Sequence, residues 1–342
     1  MRIGALARGM MGWLSPAMLV AFALFGTLPL WIEAVGLYRY LGIEILIWCI
    51  FALGFNLLLG YTGLPSFGHG AYFGIGAYAL GLTQFHLAAS LWVGLLAATL
   101  AAAVMGGGVA LFISHRRGIY FALMTIAFGQ MFFFIASKWT SVTGGEDGLL
   151  DIRRLPAHVG FAAFDLTGNL AMSYFTFATF AVVTVLLWRL VHSPFGKVLR
   201  AIKQNETRMA YLGYRVFAYK WASFTLSCAV AGLAGGLFAM AQHGAYVQVM
   251  NLQWSGVVVL MTLVGGGLVS FWGPVVGTVL YFVARDLLGM YTESWLLWFG
   301  LMFMLVVMFK PEGVAGIWQA AAARAGARRR ARAVALQPAG GK

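Results

Sequence analysis

The sequence predicts an all-α integral membrane protein, and its composition and its apolar runs carry that prediction. Of the 342 residues, 61% are hydrophobic and 10% are charged, and the mean hydropathy is +0.85. A water-soluble fold does not have enough interior to hide so much apolar surface. Apolar runs long enough to cross a hydrocarbon core about 30 Å thick recur along the chain. They lack the alternation of apolar and polar residues that outer-membrane barrels show.

We predict about ten transmembrane helices, with some segments broken by Gly or Pro. The predicted spans are 16–32, 43–60, 67–85, 91–113, 120–137, 169–189, 221–242, 254–269, 274–288 and 295–309. A signal peptide is the alternative for the first run, because Arg2 and Arg8 precede it, but no small-x-small cleavage site follows. We therefore retain this span, which gives a transmembrane domain at 1–310 and a basic tail at 311–342.

Basic residues are distributed unevenly between the two sides that ten spans define. Eighteen Lys and Arg lie on the side of the termini, and five lie on the opposite side. Because basic residues near span ends are retained in the cytoplasm, both termini are predicted to be cytoplasmic. This bias explains most of the net charge of +13, so nucleic-acid binding is not expected. The basic tail is expected to be solvated and to rest on anionic membrane lipid.

The spans leave little room for chemistry within this chain. No motif for nucleotide hydrolysis, zinc binding or a nucleophilic serine occurs in the sequence, and we assign no catalytic residue, metal ligand or cofactor. Ionisable residues are rare at membrane depth, where ion-coupled carriers need them. Arg285 and Asp286 near one span end are interpreted as an interfacial salt bridge. If the chain moves a solute, the energy is expected to come from another protein.

The segment 190–220, called here the inner segment, is predicted to be cytoplasmic and to hold two short helices. Ser193 followed by Pro194 is typical of a helix start, with serine at the cap and proline in the first turn. The first helix is expected to run to about Gln204. Asn205 then follows as the cap of a second helix.

The second helix of the inner segment is predicted to have about seven residues. Glu206 in its first turn favours the positive helix end, and Gly213 is expected to end it in a left-handed conformation. Because so short a helix is marginal alone in water, it is expected to pack on something through Met209 and Leu212. A partner protein is one option, and the protein's own bundle or lipid headgroups are the other.

Four stretches of the sequence resemble signatures of one family. The first is SPFGKVLRAIKQNETRMAYLGYRVFAYKWASFTLSCAVAGLAGGLFA, and the second is GYTGLPSFGHGAYFGIGAYA. The others are RRGIYFALMTIAFGQMFFFIASKWTSVTGGEDGL and GGGLVSFWGPVVGTVLYF. Together they resemble the LivM-type permeases, the branched-chain amino acid subunits of ABC importers. They cover roughly a third of the chain and lie in order between residues 60 and 282.

This resemblance implies a heteromeric importer in the bacterial inner membrane. The chain would pair with a second permease subunit, and two cytoplasmic ABC ATPase subunits and a periplasmic substrate-binding protein would complete the assembly. The cargo would be a branched-chain or similar small apolar amino acid. Permeases of urea and short-chain amide importers carry the same signatures, so that cargo stays an alternative.

By the same resemblance, the short second helix is the coupling helix that fits a groove on the ATPase. The family's loop motif matches Glu206, Ala210 and Gly213, whereas Thr207 and Arg208 depart from its fuller Glu-Ala-Ala form. The candidate coupling residues are Asn205, Glu206, Arg208, Met209, Leu212 and Gly213.

A second candidate site is the Gly-rich stretch that follows the second span. Gly60, Gly63 and Pro65 predict a break, and Ser66 is expected to cap the next helix. Irregular backbone at membrane depth is tolerated only inside protein or beside a water-filled cavity. The candidate residues of a translocation path are therefore Asn56, Ser66, Gly68, His69, Gly70, Thr125 and Gln130.

Two alternatives apply to these polar residues. One is structural, with His69 as a hydrogen-bonded packing residue. The other is an intramembrane lipid-modifying enzyme that uses His69, Ser66 and Asn56. Against that enzyme, no acid or second His lies close in sequence to activate Ser66.

Two further patterns lie outside the inner segment. Gly63-Leu64-x-Ser66-Phe67 recurs as Gly267-Leu268-x-Ser270-Phe271, which is either an internal repeat or chance in a Gly-rich chain. The segment 138–168, called here the outer loop, is predicted to be periplasmic and is longer than a minimal connection. Its candidates for docking a binding protein are Glu146, Asp147, Asp151 and Arg153. A solvated loop without a partner is the alternative.

Overall fold

In the computed structural model the chain is mainly helical. The residues that the structure describes are 16–32, 36, 38–87, 90–159, 162–268, 270–292, 294–309 and 313. The predicted basic tail at 311–342 and the residues before 16 lie outside the described residues, apart from Gly313.

The described ranges contain thirteen α-helices. Their bounds are α1 Pro16–Trp31, α2 Arg39–Asn56, α3 His69–His86, α4 Leu91–Ile113, α5 Gly118–Lys138, α6 Thr140–Thr143, α7 Asn169–His192, α8 Pro194–Gln204, α9 Glu206–Tyr211, α10 Val216–Gln242, α11 Leu252–Gly265, α12 Gly273–Tyr291 and α13 Trp295–Phe309. A π-helical turn, Leu57–Thr62, extends α2, and a 3-10 turn, Val247–Met250, precedes α11.

Four very short strands depart from the all-α prediction. The strand β1 Leu149–Leu150 lies in the outer loop and pairs antiparallel with β4 Gly244–Ala245, which follows α10. Within the outer loop, β2 Ala157–Val159 pairs antiparallel with β3 Ala162–Phe164. Strands of two or three residues are too short to produce a detectable alternation in the sequence. They tie the outer loop together and leave the fold class helical.

The structure has a helix at each of the ten predicted spans, although the helices differ in their capacity to cross a membrane. Six are long and apolar enough by length and composition, namely α2 with its π-helical extension, α4, α5, α7, α10 and α12. The helices α1, α11 and α13 contain shorter apolar stretches. The fold is therefore that of a multi-pass helical membrane protein, and the count of ten crossings stays a prediction.

The centre of the bundle is formed by α2 and α10. Every residue of the most apolar window of α2 is buried, as expected for a helix that is apolar on all sides. The helix α10 packs against α4, α3 and α2. A Cβ atom on Gly76 would collide with the backbone of Gly232, so these glycines allow α3 and α10 to touch backbone to backbone.

Candidate functional site

The predicted break after the second span is present, but the helix that follows it begins later than predicted. The π-helical turn includes Gly60, and the helix ends at Gly63, whose φ of 76° is left-handed. The next helix begins at His69 rather than at Ser66, with Gly68 in the cap position. The expected cap by Ser66 is therefore wrong, because its hydroxyl is instead 2.9 Å from Nδ1 of His69.

His69 is fully buried where α3, α10 and α2 meet. Its Nε2 lies 2.8 Å from the Ser227 hydroxyl, which donates its own proton to the Gly54 carbonyl at 2.8 Å. Because Ser227 has a single proton, Nε2–H is the donor to Ser227. In a neutral imidazole Nδ1 then accepts from the Ser66 hydroxyl, and both ring nitrogens of His69 are bonded within the helix packing. Its contact with a translocation path stays a prediction.

Two other predicted path residues, Gly68 and Gly70, lie at the start of α3, and a third, Thr125 of α5, packs against it. The Thr125 hydroxyl accepts a hydrogen bond from the backbone N–H of Phe67 at 3.1 Å, and Gly68 packs directly on the Thr125 backbone. The backbone N–H of Gly70 donates to the Ser255 hydroxyl at 2.9 Å. Gln130 lies further along α5 and is half-buried. These contacts join α3 to α5 and α11.

A second broken helix lies beside the first. The helix α11 ends at Gly265, and Gly266 follows with a left-handed φ of 89°. A Cβ atom on Gly60 would lie 2.6 Å from the carbonyl oxygen of Gly267, so the two turns touch. Asn56 is buried beside this contact, and its amide group has no hydrogen-bond partner among the described residues.

The sequence repeat of these two turns matches only partly in three dimensions. Both copies follow a helix that ends at a left-handed glycine. That glycine is Gly63 in the first copy and Gly266 in the second, one residue before the Gly267 that the sequence match pairs with it. The motif therefore locates both turns, but the residues that it aligns are not equivalent one to one in the structure.

The inner segment forms the two predicted helices. Pro194 is in the first turn of α8, and Ser193 occupies the cap position, but its hydroxyl donates back to the Leu190 carbonyl at 2.6 Å. Asn205 caps α9 as predicted, since its side-chain oxygen accepts from the backbone N–H of Arg208 at 2.9 Å. Gly213 follows α9 with φ 84°, which confirms the predicted left-handed end.

The Glu206 side chain faces the helical bundle of this chain and forms ion pairs with two cations. Its carboxylate lies 2.8 Å from the Arg117 guanidinium and 3.4 Å from the Lys220 ammonium. Lys220 is 1% exposed, and it also donates to the Arg116 carbonyl at 2.7 Å. These bonds attach the start of α9 to the starts of α5 and α10. Glu206 is thus a positioning residue of α9, a geometry that the sequence motif did not indicate.

Met209 and Leu212, predicted together as packing contacts, face opposite ways. Met209 is buried in a small cluster with Ile202 and Val216, which joins α9 to α8 and α10. Leu212 is 66% exposed, and neighbouring Tyr211 is 88% exposed. Met209 therefore packs within this chain, whereas Leu212 does not, and packing of Leu212 on a partner protein stays a prediction. Apolar side chains so exposed at the tip of a helical hairpin are typical of a contact surface.

Lys203 is a residue that sequence reasoning missed. It lies near the end of α8, and its ammonium donates to the Gly60 carbonyl at 2.8 Å and to the Leu268 carbonyl at 3.4 Å. Its neighbours partly remove the ammonium from water, which lowers the pKa of Lys203 from its ordinary value. Contact with two turns so distant in sequence leaves no local sequence signal.

The four candidate residues of the outer loop are all exposed. Glu146 lies 3.5 Å from the Lys138 ammonium, and both side chains remain largely in solvent. Arg153 is linked to Gln84 through its backbone, because its N–H and carbonyl bond the two ends of the Gln84 amide. Asp147 and Asp151 complete an exposed, mainly acidic surface.

Arg154 is the buried member of the outer loop that the sequence analysis did not single out. It donates to the carbonyls of Met240, Ala241 and Thr167 and to the side-chain oxygen of Asn169 at 2.8–3.2 Å. Burial lowers the pKa of Arg154 from its ordinary value. Three of these hydrogen bonds tie the loop to α7 and α10, and the bond to Thr167 lies within the loop.

The predicted salt bridge of Arg285 and Asp286 is present, with a partner that was not predicted. The Arg285 guanidinium lies 3.1 Å from Asp286 and also contacts both carboxylate oxygens of Glu44 at 3.0 and 3.2 Å. The pair joins α12 to α2. A bidentate contact of this kind is among the strong hydrogen-bonding geometries.

A bundle of apolar helices with two touching helix breaks defines a multi-pass helical membrane protein. The chain belongs to the family of branched-chain amino acid transport system permease components, whose model matches residues 39–310. It is thus a permease component of an ABC importer, consistent with a location in the inner membrane.

Similar proteins agree with this assignment. LivM, the high-affinity branched-chain amino acid transport system permease of Escherichia coli (strain K12), is 27% identical over 288 residues, which cover 79% of this chain and 68% of that protein. From Methanocaldococcus jannaschii, a probable LivM is 25% identical over 78% of this chain and 89% of its own length. A probable LivH from the same organism is 23% identical over 78% of this chain and 88% of its own length. No solved structure matches the chain.

Proposed function

We propose that this chain is one of two permease subunits of an importer for branched-chain or similarly small apolar amino acids, which it moves without modifying them. The names of the LivM relatives support the cargo, and the similarity to both LivM and LivH supports pairing with a second, related permease. Two cytoplasmic ABC ATPases drive the cycle, and a periplasmic binding protein delivers the cargo. A urea or short-chain amide importer is the alternative.

The proposed topology has ten crossings with both termini in the cytoplasm. Helices at all ten apolar runs and the eighteen-to-five distribution of basic residues support it. The permease domain is 1–310, and the basic tail 311–342 rests on anionic lipid at the cytoplasmic face. In this topology the inner segment lies in the cytoplasm and the outer loop lies in the periplasm.

The proposed ATPase contact is the helical hairpin of α8 and α9, with α9 at its tip. The geometry of α9 is the observation that carries the proposal. Glu206 and Met209 fasten α9 to the bundle, Asn205 caps its start, and the exposed tip offers apolar surface at Tyr211 and Leu212. A helix that is held from behind and apolar in front is suited to a groove on another protein. Arg208 and Gly213 complete the contact surface.

The proposed translocation path runs beside the two broken helices. Asn56, Ser66, Gly68, His69, Gly70, Thr125 and Gln130 are its candidate residues. Buried polar groups around irregular backbone support this assignment, because lipid cannot satisfy such groups. In this proposal the path opens at the face shared with the second permease when the two turns move together. The binding protein docks on the outer loop through Glu146, Asp147, Asp151 and Arg153.

Reconstitution of the complex tests the proposal. The chain, its partner permease and the two ATPases are purified together and placed in liposomes with the binding protein and ATP. We expect ATP-dependent accumulation of labelled leucine, isoleucine or valine, and no accumulation of urea or acetamide. The chain alone is expected to remain inactive. Sustained uphill accumulation by the single chain, or failure to copurify with ATPase subunits in mild detergent, contradicts the proposal.

A further inference from the structure

Three parts of the chain that are far apart in sequence meet at Lys203. Its ammonium donates to the carbonyl of Gly60 in the first broken helix and to that of Leu268 in the second. Its stem lies against the left-handed turn of the first break, where a Cβ atom on Gly63 would be 2.8 Å from Cγ of Lys203. One side chain of the inner segment therefore holds both breaks.

The chemistry of helix ends explains why a lysine is bound there. The last carbonyls of a helix have no partner within that helix, and they carry the negative end of its dipole. An ammonium supplies three donors and a positive charge, so it bonds such carbonyls more strongly than a neutral donor does. Lys203 uses this preference at the Gly60 carbonyl near the end of the first helix, and its second contact, the Leu268 carbonyl, lies in the turn three residues beyond the end of α11.

The two breaks are also coupled directly to each other. Gly60 touches the Gly267 carbonyl, and a Cβ atom on Gly267 would lie 2.7 Å from the side-chain oxygen of Asn56. Backbone contacts this close leave no space for one turn to slide past the other. A displacement of either turn therefore displaces both.

Lys203 is in turn joined closely to α9. A single residue, Asn205, separates α8 from α9, and Ile202, next to Lys203, packs on Met209. Cavities of about 310 and 340 Å³ lie on the two sides of Lys203 and leave room for its helix to shift relative to the breaks. Movement of α9 is thereby carried to Lys203.

We propose that Lys203 is the positioning residue that transmits movement of the coupling helix α9 to the two broken helices, and so opens or closes the path. This inference rests on the proposed function, because it takes α9 as the ATPase contact. The residue touches neither cargo nor ATP. It acts through the backbone turns around Gly60 and Leu268.

The test compares Lys203→Met with Lys197→Met, which removes the same charge six residues earlier in the same helix. A third variant, Lys203→Arg, keeps a cation that can bond carbonyls. Each full complex is reconstituted with the binding protein, and ATP hydrolysis and leucine uptake are measured in the same vesicles. The ratio of leucine transported to ATP hydrolysed is the readout, since a purely structural role does not change it.

For Lys203→Met we expect assembly and ATP hydrolysis near wild type, with at least about a tenfold fall in leucine transported per ATP, because a charge-assisted contact is lost. Lys197→Met should match wild type, and Lys203→Arg should retain most of the ratio. An unchanged ratio in Lys203→Met overturns the inference, and so does a proportional loss of hydrolysis, uptake and assembly. Failure of the wild-type complex to transport instead contradicts the proposed function.

Discussion

The inner segment and the outer loop are both held to the bundle by buried cations, but the candidate contact residues that they expose differ. In the inner segment, Lys220 and Glu206 face inward, and Tyr211 and Leu212 face solvent. In the outer loop, Arg154 faces inward, and the exposed candidates are charged. An apolar tip favours a stable fit in a groove, whereas exposed charges favour fast, salt-dependent encounters. This difference is expected if the proposed ATPase contact is lasting and the proposed contact with the binding protein is transient.

Reversal of Glu206 should have the largest effect on the inner segment. Glu206→Lys leaves Lys220 buried without its partner and adds a third cation, and the loss of one partner of a buried pair costs about 3–5 kcal/mol. Glu206 is partly exposed, so we expect the lower end of that range. Membrane insertion should remain, while ATPase copurification and leucine uptake should fall by at least about tenfold.

A charge swap is the control for that variant. Glu206→Lys combined with Lys220→Glu restores an opposite pair in the same place and should recover part of the uptake. Uptake by the single Glu206→Lys variant at the wild-type level would show that the pair does not position α9.

Loss of Arg154 should give the next largest effect. It should lower the stability of the protein rather than the coupling of transport to ATP hydrolysis. Arg154→Met leaves the Met240 and Ala241 carbonyls without this donor, and each unsatisfied buried group costs about 1–3 kcal/mol. We expect a lower midpoint of thermal unfolding in detergent. Arg153→Met removes an exposed neighbour and should change stability by less than about 0.5 kcal/mol. Equal midpoints for the two variants would remove the distinction between these residues.

The end of α9 should be sensitive to backbone conformation alone. Gly213→Ala places a Cβ atom in open space at a φ of 84°, which costs about 1–2 kcal/mol for a residue other than glycine. Gly168→Ala is the matched control, since that glycine also has open space around it and has an ordinary φ of −73°. We expect a fall of about fivefold in uptake for Gly213→Ala only. Similar uptake by the two variants would argue against a required left-handed end.

The outer carboxylates should have the smallest effect. Neutralising Glu146, Asp147 and Asp151 together with Gln and Asn should raise the KM for the binding protein by about two- to fivefold at low salt, since exposed charges contribute about 0.2–1 kcal/mol each. The difference should shrink at high salt because of screening. Asp165→Asn is the control, as hydrogen bonds from Thr167 hold that carboxylate and lower the pKa of Asp165. A KM independent of the three substitutions would assign docking to another surface.

Local patterns allowed correct prediction wherever a short stretch of sequence decides the conformation. The break at Gly63, the Asn205 cap and the left-handed Gly213 follow from the needs of neighbouring backbone groups. The helical runs follow from apolar length. The same logic failed for Ser66, because its hydroxyl bonds His69 and the cap position falls on Gly68. Ser193 and Pro194 begin α8 as predicted, although the Ser193 hydroxyl donates to the Leu190 carbonyl.

The sequence by itself determined that this chain is helical, crosses a membrane several times and carries a capped hairpin, since those properties depend on composition and nearest neighbours. Only the tertiary structure decided that Glu206 faces inward, that Arg285 pairs with Glu44 and that Lys203 joins two broken helices. Each of these contacts spans helices that are distant in the chain. A hydrogen bond or ion pair acts over a few ångströms of space, so its partner is chosen by how the helices pack and leaves no trace in sequence spacing.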